Sequence, residues 1–164
     1  MKNFDRKKLV ESFAGFTKEL FQEILGQEVL LKKIELKVNP SNISGFGAVI
    51  SFVEDIAGNI VCNFPKEAAQ KITEVMNGIS LDELETEEEK QELMEGSIGE
   101  IANMVGGRAM TEFDHFGVRC NITTPTIFFG TNMKLISRGQ IIYAINYEYN
   151  NDNAIEIFVT LKKA

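Results

Sequence analysis

The chain has 164 residues, a length that suits one domain with a real core, and its 44% hydrophobic and 25% charged content is ordinary for a globular protein. A net charge of −7 argues against a nucleic-acid backbone as the main partner. No apolar run approaches the roughly 20 residues that span a bilayer, and the opening MKNFDRKKLVESF lacks a signal-peptide core, so no membrane contact and a cytoplasmic location are expected.

Residues 4–25 read as a helix, because Phe4, Leu9, Phe13, Phe16, Leu20 and Ile24 recur at helical spacing and Gly26 is a natural stop. The run 28–38 alternates at shorter period and reads as a strand, and Asn39, Pro40, Ser41 and Asn42 follow with turn chemistry. A strand around 47–53, a turn containing Gly58 and Asn59, and a strand at 60–64 form an antiparallel hairpin pattern. Pro65 suits the first turn of a second helix, with Ala68, Ile72, Val75 and Met76 as its stripe and Gly78 as its end. Residues 79–90 are dense in acid and read as a solvated connector, in which Ser80 and Glu83 can form a cap.

The longest helical pattern covers residues 87–111. Thr86 and Glu89 form a capping box at its start. Ile98, Ile101, Ala102, Val105 and Ala109 share one face, and Gly96, Glu100, Asn103 and Gly107 lie nearly opposite. Gly99 and Gly106 lie on the flank. Each glycine costs a helix roughly 1 kcal/mol relative to alanine. A helix that tolerates four of them points to bare backbone that a partner can approach, with Gly96, Ser97, Gly99 and Gly107 as the expected partner-facing positions. The alternative is a solvated surface with a tolerated glycine bend.

After the long helix, 118–123 is a strand, residues 124–126 interrupt it, and 127–130 form an apolar run. Two clear β runs, 140–149 and 154–162, are joined by Asn150, Asn151, Asp152 and Asn153 as a hairpin. The expected fold is therefore α+β: a mostly antiparallel six-stranded sheet covered by long helices, in two pseudo-duplicated halves, forming one domain over residues 1–164. Cys62 and Cys120 have no CxxC spacing and read as small buried thiols. His115 is the only histidine, too little for a usual zinc cluster, and reads as a loop or helix-end residue. Arg108 is expected to pair with a carboxylate or be solvated.

The chain has no P-loop, no GxGxxG after a strand, no HExxH and no GxSxG. Glu100 and Asn103 alone cannot carry a difficult reaction, but they can assist one whose reactive groups arrive on a partner. A carboxamide offers a water one donor and one acceptor, and a carboxylate can pair with a partner lysine.

The stretch GSIGEIANMVGGRAM resembles the signature of the CheC/CheX/FliY phosphatases of bacterial chemotaxis, and within them the CheX branch. Their pattern is Asp or Ser, three residues, Glu, two residues, Asn, then a proline some way on. Here the pair is Glu100 and Asn103, and 21 residues separate Asn103 from Pro125. Gly96 stands at the Asp/Ser position, with Ser97 one place later. The passage NFPKEAAQKITEVMNG and the terminal β runs are also similar to the family's order of elements.

The resemblance implies a CheC-like fold and a protein aspartyl-phosphate phosphatase acting on a phosphorylated CheY-type response regulator. It implies that Glu100 grips a lysine of the regulator while Asn103 aligns the attacking water. The Mg²⁺ would be supplied in the regulator's own site, with no cofactor held by this chain, and a homodimer would form through the sheets. The first helix, VESFAGFTKELFQEI, has no Glu-x-x-Asn, so one site per chain is expected. Two other readings stay open at this point: a non-catalytic module that binds and sequesters a receiver domain, and a dimerising adaptor.

Overall fold

The structure is a computed structural model that describes residues 4–38, 41–138, 140–150 and 153–162. Its elements run α1 (Arg6–Leu25), β1 (Leu30–Lys37), β2 (Ser41–Glu54), β3 (Gly58–Phe64), α2 (Lys66–Asn77), a 3₁₀ turn (Leu81–Glu83), α3 (Glu87–His115), β4 (Cys120–Ile122), β5 (Thr126–Leu135), β6 (Gln140–Tyr149) and β7 (Asn153–Lys162). The α+β class and the antiparallel sheet are as expected, with seven strands instead of six among the described residues.

The sheet order is β1-β6-β7-β3-β2-β4, and β5 also pairs with β2, every pairing being antiparallel. This order is the expected duplication made visible. Exchanging β1, β2 and β3 for β5, β6 and β7 turns the path β1-β6-β7-β3-β2-β5 into its own reverse, with the pseudo-twofold axis between β3 and β7. Each half opens with a helix, so α1 and α3 are counterparts, and they pack against each other.

Strand alternation divides the sheet into two faces. Ile60, Cys62, Phe64, Ile155, Ile157 and Val159 join the main core under the helices. Val61 and Phe158 belong to a smaller cluster with Ile43, Ile142 and Ala144, against which Phe128, Met133 and Leu135 pack. Tyr147 ties α1 to the sheet, its buried hydroxyl donating to the Ala14 carbonyl at 2.7 Å.

The helix ends follow their capping chemistry. The Asp5 carboxylate accepts from the amides of Lys7 and Lys8 at the start of α1. Gly26 and Gly78, both at φ 65°, close α1 and α2 with amides that donate to Gln22 and Glu74 carbonyls. The Thr86 hydroxyl accepts from the Glu89 amide at 3.1 Å, while the Glu89 carboxylate accepts from the amide of Glu85, one residue before the expected partner. The acidic connector is anchored at Leu81, which is buried and whose amide donates to the Glu74 carboxylate.

Several boundaries differ from expectation for identifiable reasons. The α1 stripe is rotated: Val10, Ala14, Thr17 and Phe21 are fully buried, whereas Phe16 and Ile24 are only half-buried. Pro65 is the N-cap of α2 and not its first helical residue. Gly58 and Asn59 begin β3 instead of forming the turn. A Cβ on Gly58 would stand 1.8 Å from the Thr160 carbonyl oxygen, so the glycine lets β7 approach, and the chain reverses before it. Ser41 and Asn42 belong to β2, and Asn39 and Pro40 lie outside the described residues. Asn151 and Asp152 of the last hairpin lie outside them too, although β6 and β7 pair from Tyr149 and Asn153 onward.

The extra strand arises at Pro125. Proline has no N–H to give the ladder, so the edge beside β2 divides into β4, paired with its far end, and β5, paired with its near end. Past its apolar run, β5 continues to Leu135 and pairs with residues 41–43 of β2 after a register shift.

Candidate active site on the long helix

Twenty-nine residues make α3 about 43 Å long at 1.5 Å per residue. Its two faces divide as the spacing predicts. Ile98, Ile101, Ala102 and Val105 are 0% exposed and Ala109 is 1% exposed. Gly96, Glu100, Asn103 and Gly107 are all exposed. Among the described residues, neither the Glu100 nor the Asn103 side chain has a hydrogen-bond or ion-pair partner. A carboxylate and a carboxamide one turn apart therefore stand free over a helix whose opposite face is locked in the core.

The glycines of this stretch do two different jobs. A Cβ on Gly96 or Gly107 would meet nothing within 4 Å, so these positions open to the outside. A Cβ on Gly106 would stand 2.8 Å from Ile122 Cδ1 and 3.1 Å from Ile50 Cδ1. Gly106 is buried and lets α3 settle onto β2 and β4; its bare backbone serves the sheet. Gly99 is half-buried, 3.5 Å from Ile127 Cδ1.

Ser97 does not share the exposed face. It is 4% exposed; its hydroxyl donates to the Leu93 carbonyl and accepts from Asn77 Nδ2, both at 2.9 Å. Asn77 also donates to the Thr73 carbonyl at 2.7 Å. Ser97 thus fastens the end of α2 to α3, an internal tie that helical spacing alone does not distinguish from a partner contact.

Pro125 is positioned by the same packing. Ile122 lies against Gly106 and Ile127 against Gly99, so residues 123–126 run beside the part of α3 that carries Glu100 and Asn103. Two bonds hold this segment to β2: the Thr123 amide donates to the Ser51 carbonyl at 2.9 Å, and the Ser51 amide donates to Thr123 Oγ1 at 3.0 Å. The half-buried Pro125 is therefore spatially close to the motif helix as well as patterned with it in sequence.

The other candidates are structural. Cys62 and Cys120 are free and buried, and burial pushes their thiols up to about 12 and about 11. His115 lies in the last turn of α3, with Nδ1 3.5 Å from a carboxylate oxygen of the buried Glu112. The Ser12 hydroxyl donates to the other Glu112 oxygen, linking α1 to α3. Arg108 pairs with Glu23 of α1 at 3.5 Å. Among the described residues no three of His, Cys, Asp or Glu gather where they could hold a metal ion, and no helix is long and apolar enough to cross a membrane.

Sequence reasoning missed the α1 side of this surface. Phe16, Leu20 and Glu23 line a groove of about 400 Å³ with Met104, Gly107, Arg108 and Thr111. An apolar Met104 directly after Asn103, outside the buried stripe, was the available signal.

Residues 46–146 match the family model of the chemotaxis phosphatase CheX. The CheY-P phosphatase CheX of Thermotoga maritima is 28% identical over 142 residues, covering 82% of this chain and 84% of that protein. Among solved structures, the chemotaxis protein CheX from Desulfovibrio desulfuricans superposes with a TM-score of 0.80 at 18% identity, over 94% of this chain and 99% of that one. The CheX–CheY–BeF3–Mg²⁺ complex from Borrelia burgdorferi gives 0.76 at 21% identity, over 94% and 98%. The fold is that of these proteins, and the matched segment includes the whole of α3 and Pro125. The chain belongs to the CheX family of chemotaxis phosphatases.

Proposed function

We propose that the chain hydrolyses the aspartyl phosphate of a CheY-type response regulator, with Glu100 and Asn103 as the residues it contributes. The observation that carries this reading is the pairing of two unpartnered polar side chains, one turn apart, on the open face of a helix whose opposite face is buried. Glu100 docks on a lysine of the regulator's active site and sets the register of the approach. Asn103 enters beside the acyl phosphate, where its carboxamide accepts a hydrogen from the attacking water and donates one to an adjacent oxygen. Asn is not a base at neutral pH; its contribution is orientation, which suits a phosphoryl transfer whose charge is stabilised elsewhere. The phosphoaspartate, the lysine and the Mg²⁺ are the regulator's. No cofactor of this chain enters the step.

The pseudo-twofold supports a single site per chain. The counterpart of α3 is α1, and its sequence has no Glu-x-x-Asn. Self-association belongs to the same reading: β1 is an edge strand, with Leu30 and Leu36 exposed along it and Val38 exposed just beyond. Light scattering across protein concentrations checks for the dimer, and a monomer at all of them removes this part.

The reading is tested by following phosphate loss from phosphorylated receiver domains of the same cell, with Glu100→Lys as the variant. Opposing the regulator's lysine with a like charge is expected to raise KM by about tenfold or more. Unchanged kinetics would remove Glu100 from the docking role. Tight binding of a receiver with no acceleration would select the sequestering module instead.

A further inference from the structure

We infer that the α1–α3 groove is a second docking element of the same surface, in which Met104 and Phe16, over a floor formed by the buried Leu20, receive an apolar side chain that protrudes from the docked receiver domain. The inference rests on the proposed function and adds what the paired polar residues do not supply: the contact that sets how tightly the receiver is held.

Position makes the groove part of the footprint. Met104 stands one turn after Glu100, and Gly107 one turn after Asn103, both exposed. Residues four apart on a helix have Cβ atoms about 5–6 Å from each other. A stable protein interface covers about 800 Å² on each partner, far more than two polar side chains present. A globular partner seated on Glu100 and Asn103 therefore extends over Met104 and Gly107.

The lining fits an apolar insert. Met104 is 37% exposed, and Phe16 is the one residue of the expected α1 stripe left half-buried on this side. A thioether adapts to the shape of what enters, and Gly107, with open space where its Cβ would stand, keeps the entrance clear. The ion pair of Arg108 and Glu23 bridges the two helices along the groove. Both partners are partly exposed, so the rim is polar around an apolar centre, the arrangement of a docking patch.

The test separates docking from chemistry. Initial rates of dephosphorylation give KM and kcat for the wild type, Met104→Gln, Phe16→Ser and Asn103→Ala, and calorimetry gives the Kd of each for the receiver domain in its beryllofluoride–Mg²⁺ form. Met104→Gln changes an exposed residue and preserves the fold; thermal melts identify any loss of structure in Phe16→Ser. The groove variants are expected to raise KM and Kd together, by about tenfold, with kcat within about twofold, because they remove binding shared by ground and transition states. Asn103→Ala is expected to lose kcat and hold Kd. Unchanged KM and Kd in a folded Met104→Gln overturn the groove while leaving the phosphatase reading intact. A wild type that binds the receiver without accelerating hydrolysis overturns the phosphatase reading, and Kd still tests the groove. A wild type that binds no receiver overturns both.

Discussion

The neighbours Gly106 and Gly107 provide a sharp test of how α3 is seated. Both are helical glycines, and intrinsic propensity alone predicts that alanine stabilises each by about 1 kcal/mol. At Gly107 nothing stands within 4 Å of the added methyl, so the full gain is expected. At Gly106 the methyl would stand 2.8 Å from Ile122 Cδ1 and 3.1 Å from Ile50 Cδ1. Ordinary contact begins near 3.4 Å, so the Ile122 methyl must retreat by about 0.6 Å and the Ile50 methyl by about 0.3 Å. Ile122 is only partly buried and can turn aside; Ile50 is 0% exposed and can move little. Overpacking typically costs about 1–3 kcal/mol, so Gly106→Ala is expected to range from neutral to about 2 kcal/mol destabilising.

The two variants should therefore differ by about 1–3 kcal/mol although they are adjacent and chemically identical. Gly106→Val, which adds two further methyls against the same isoleucines, should be worse than Gly106→Ala. Urea denaturation at constant slope reads these differences directly. In thermal melts each kcal/mol corresponds to about 2–4 °C for a chain of this size. Equal stabilisation by about 1 kcal/mol at both positions would mean that α3 does not lie on Ile50 and Ile122 as described.

Three further outcomes are expected. Ser97→Ala should lower stability by about 1 kcal/mol, by leaving Asn77 without its hydroxyl acceptor, and should leave turnover unchanged; a denaturation curve and a rate assay check the two halves. Cys62, whose thiol is held up to about 12 by burial, should resist alkylation at pH 8 in the native protein and react on unfolding, as read by mass spectrometry. The carboxyl of Glu156 is held above the usual carboxylate value, mainly by burial. The native state therefore binds this proton more tightly than the unfolded chain, and the stability this confers is lost as pH rises through the raised value. Glu156→Gln should raise the melting temperature at pH 7, and the gain should shrink as pH falls through the raised value toward 4.5, the carboxyl's ordinary value.

Much of this molecule is legible in its amino acids where a single element decides the outcome. The faces of α3 follow from a run of apolar residues at spacings of three and four, and Gly26 and Gly78 end α1 and α2 because only a left-handed residue fits there. What local pattern cannot decide is which neighbour a residue meets. Gly58 looks like a turn residue until β7 is seen to pass 1.8 Å from where its Cβ would be. Ser97 looks outward-facing until Asn77 of α2 reaches it. Helical spacing sets Gly107 on the open face and Gly106 only on the flank; that Gly106 makes room for the sheet shows once Ile50 and Ile122 lie against it. The duplication is clear in strand order and nearly silent in identity, because packing constrains hydrophobic pattern more than residue type. Phe16 and Leu20 become part of the site's surroundings only when α1 is laid beside α3.

The central claim is that Asn103 orients the water that attacks a regulator's phosphoaspartate. The most direct measurement is the single-turnover decay of a phosphorylated receiver domain with saturating wild-type protein and with saturating Asn103→Ala. The account predicts that the wild type accelerates decay and that the variant loses this acceleration by about 100-fold, with its melting temperature and its affinity for the receiver preserved. A folded, receiver-binding Asn103→Ala that hydrolyses the phosphate at the wild-type rate would contradict it.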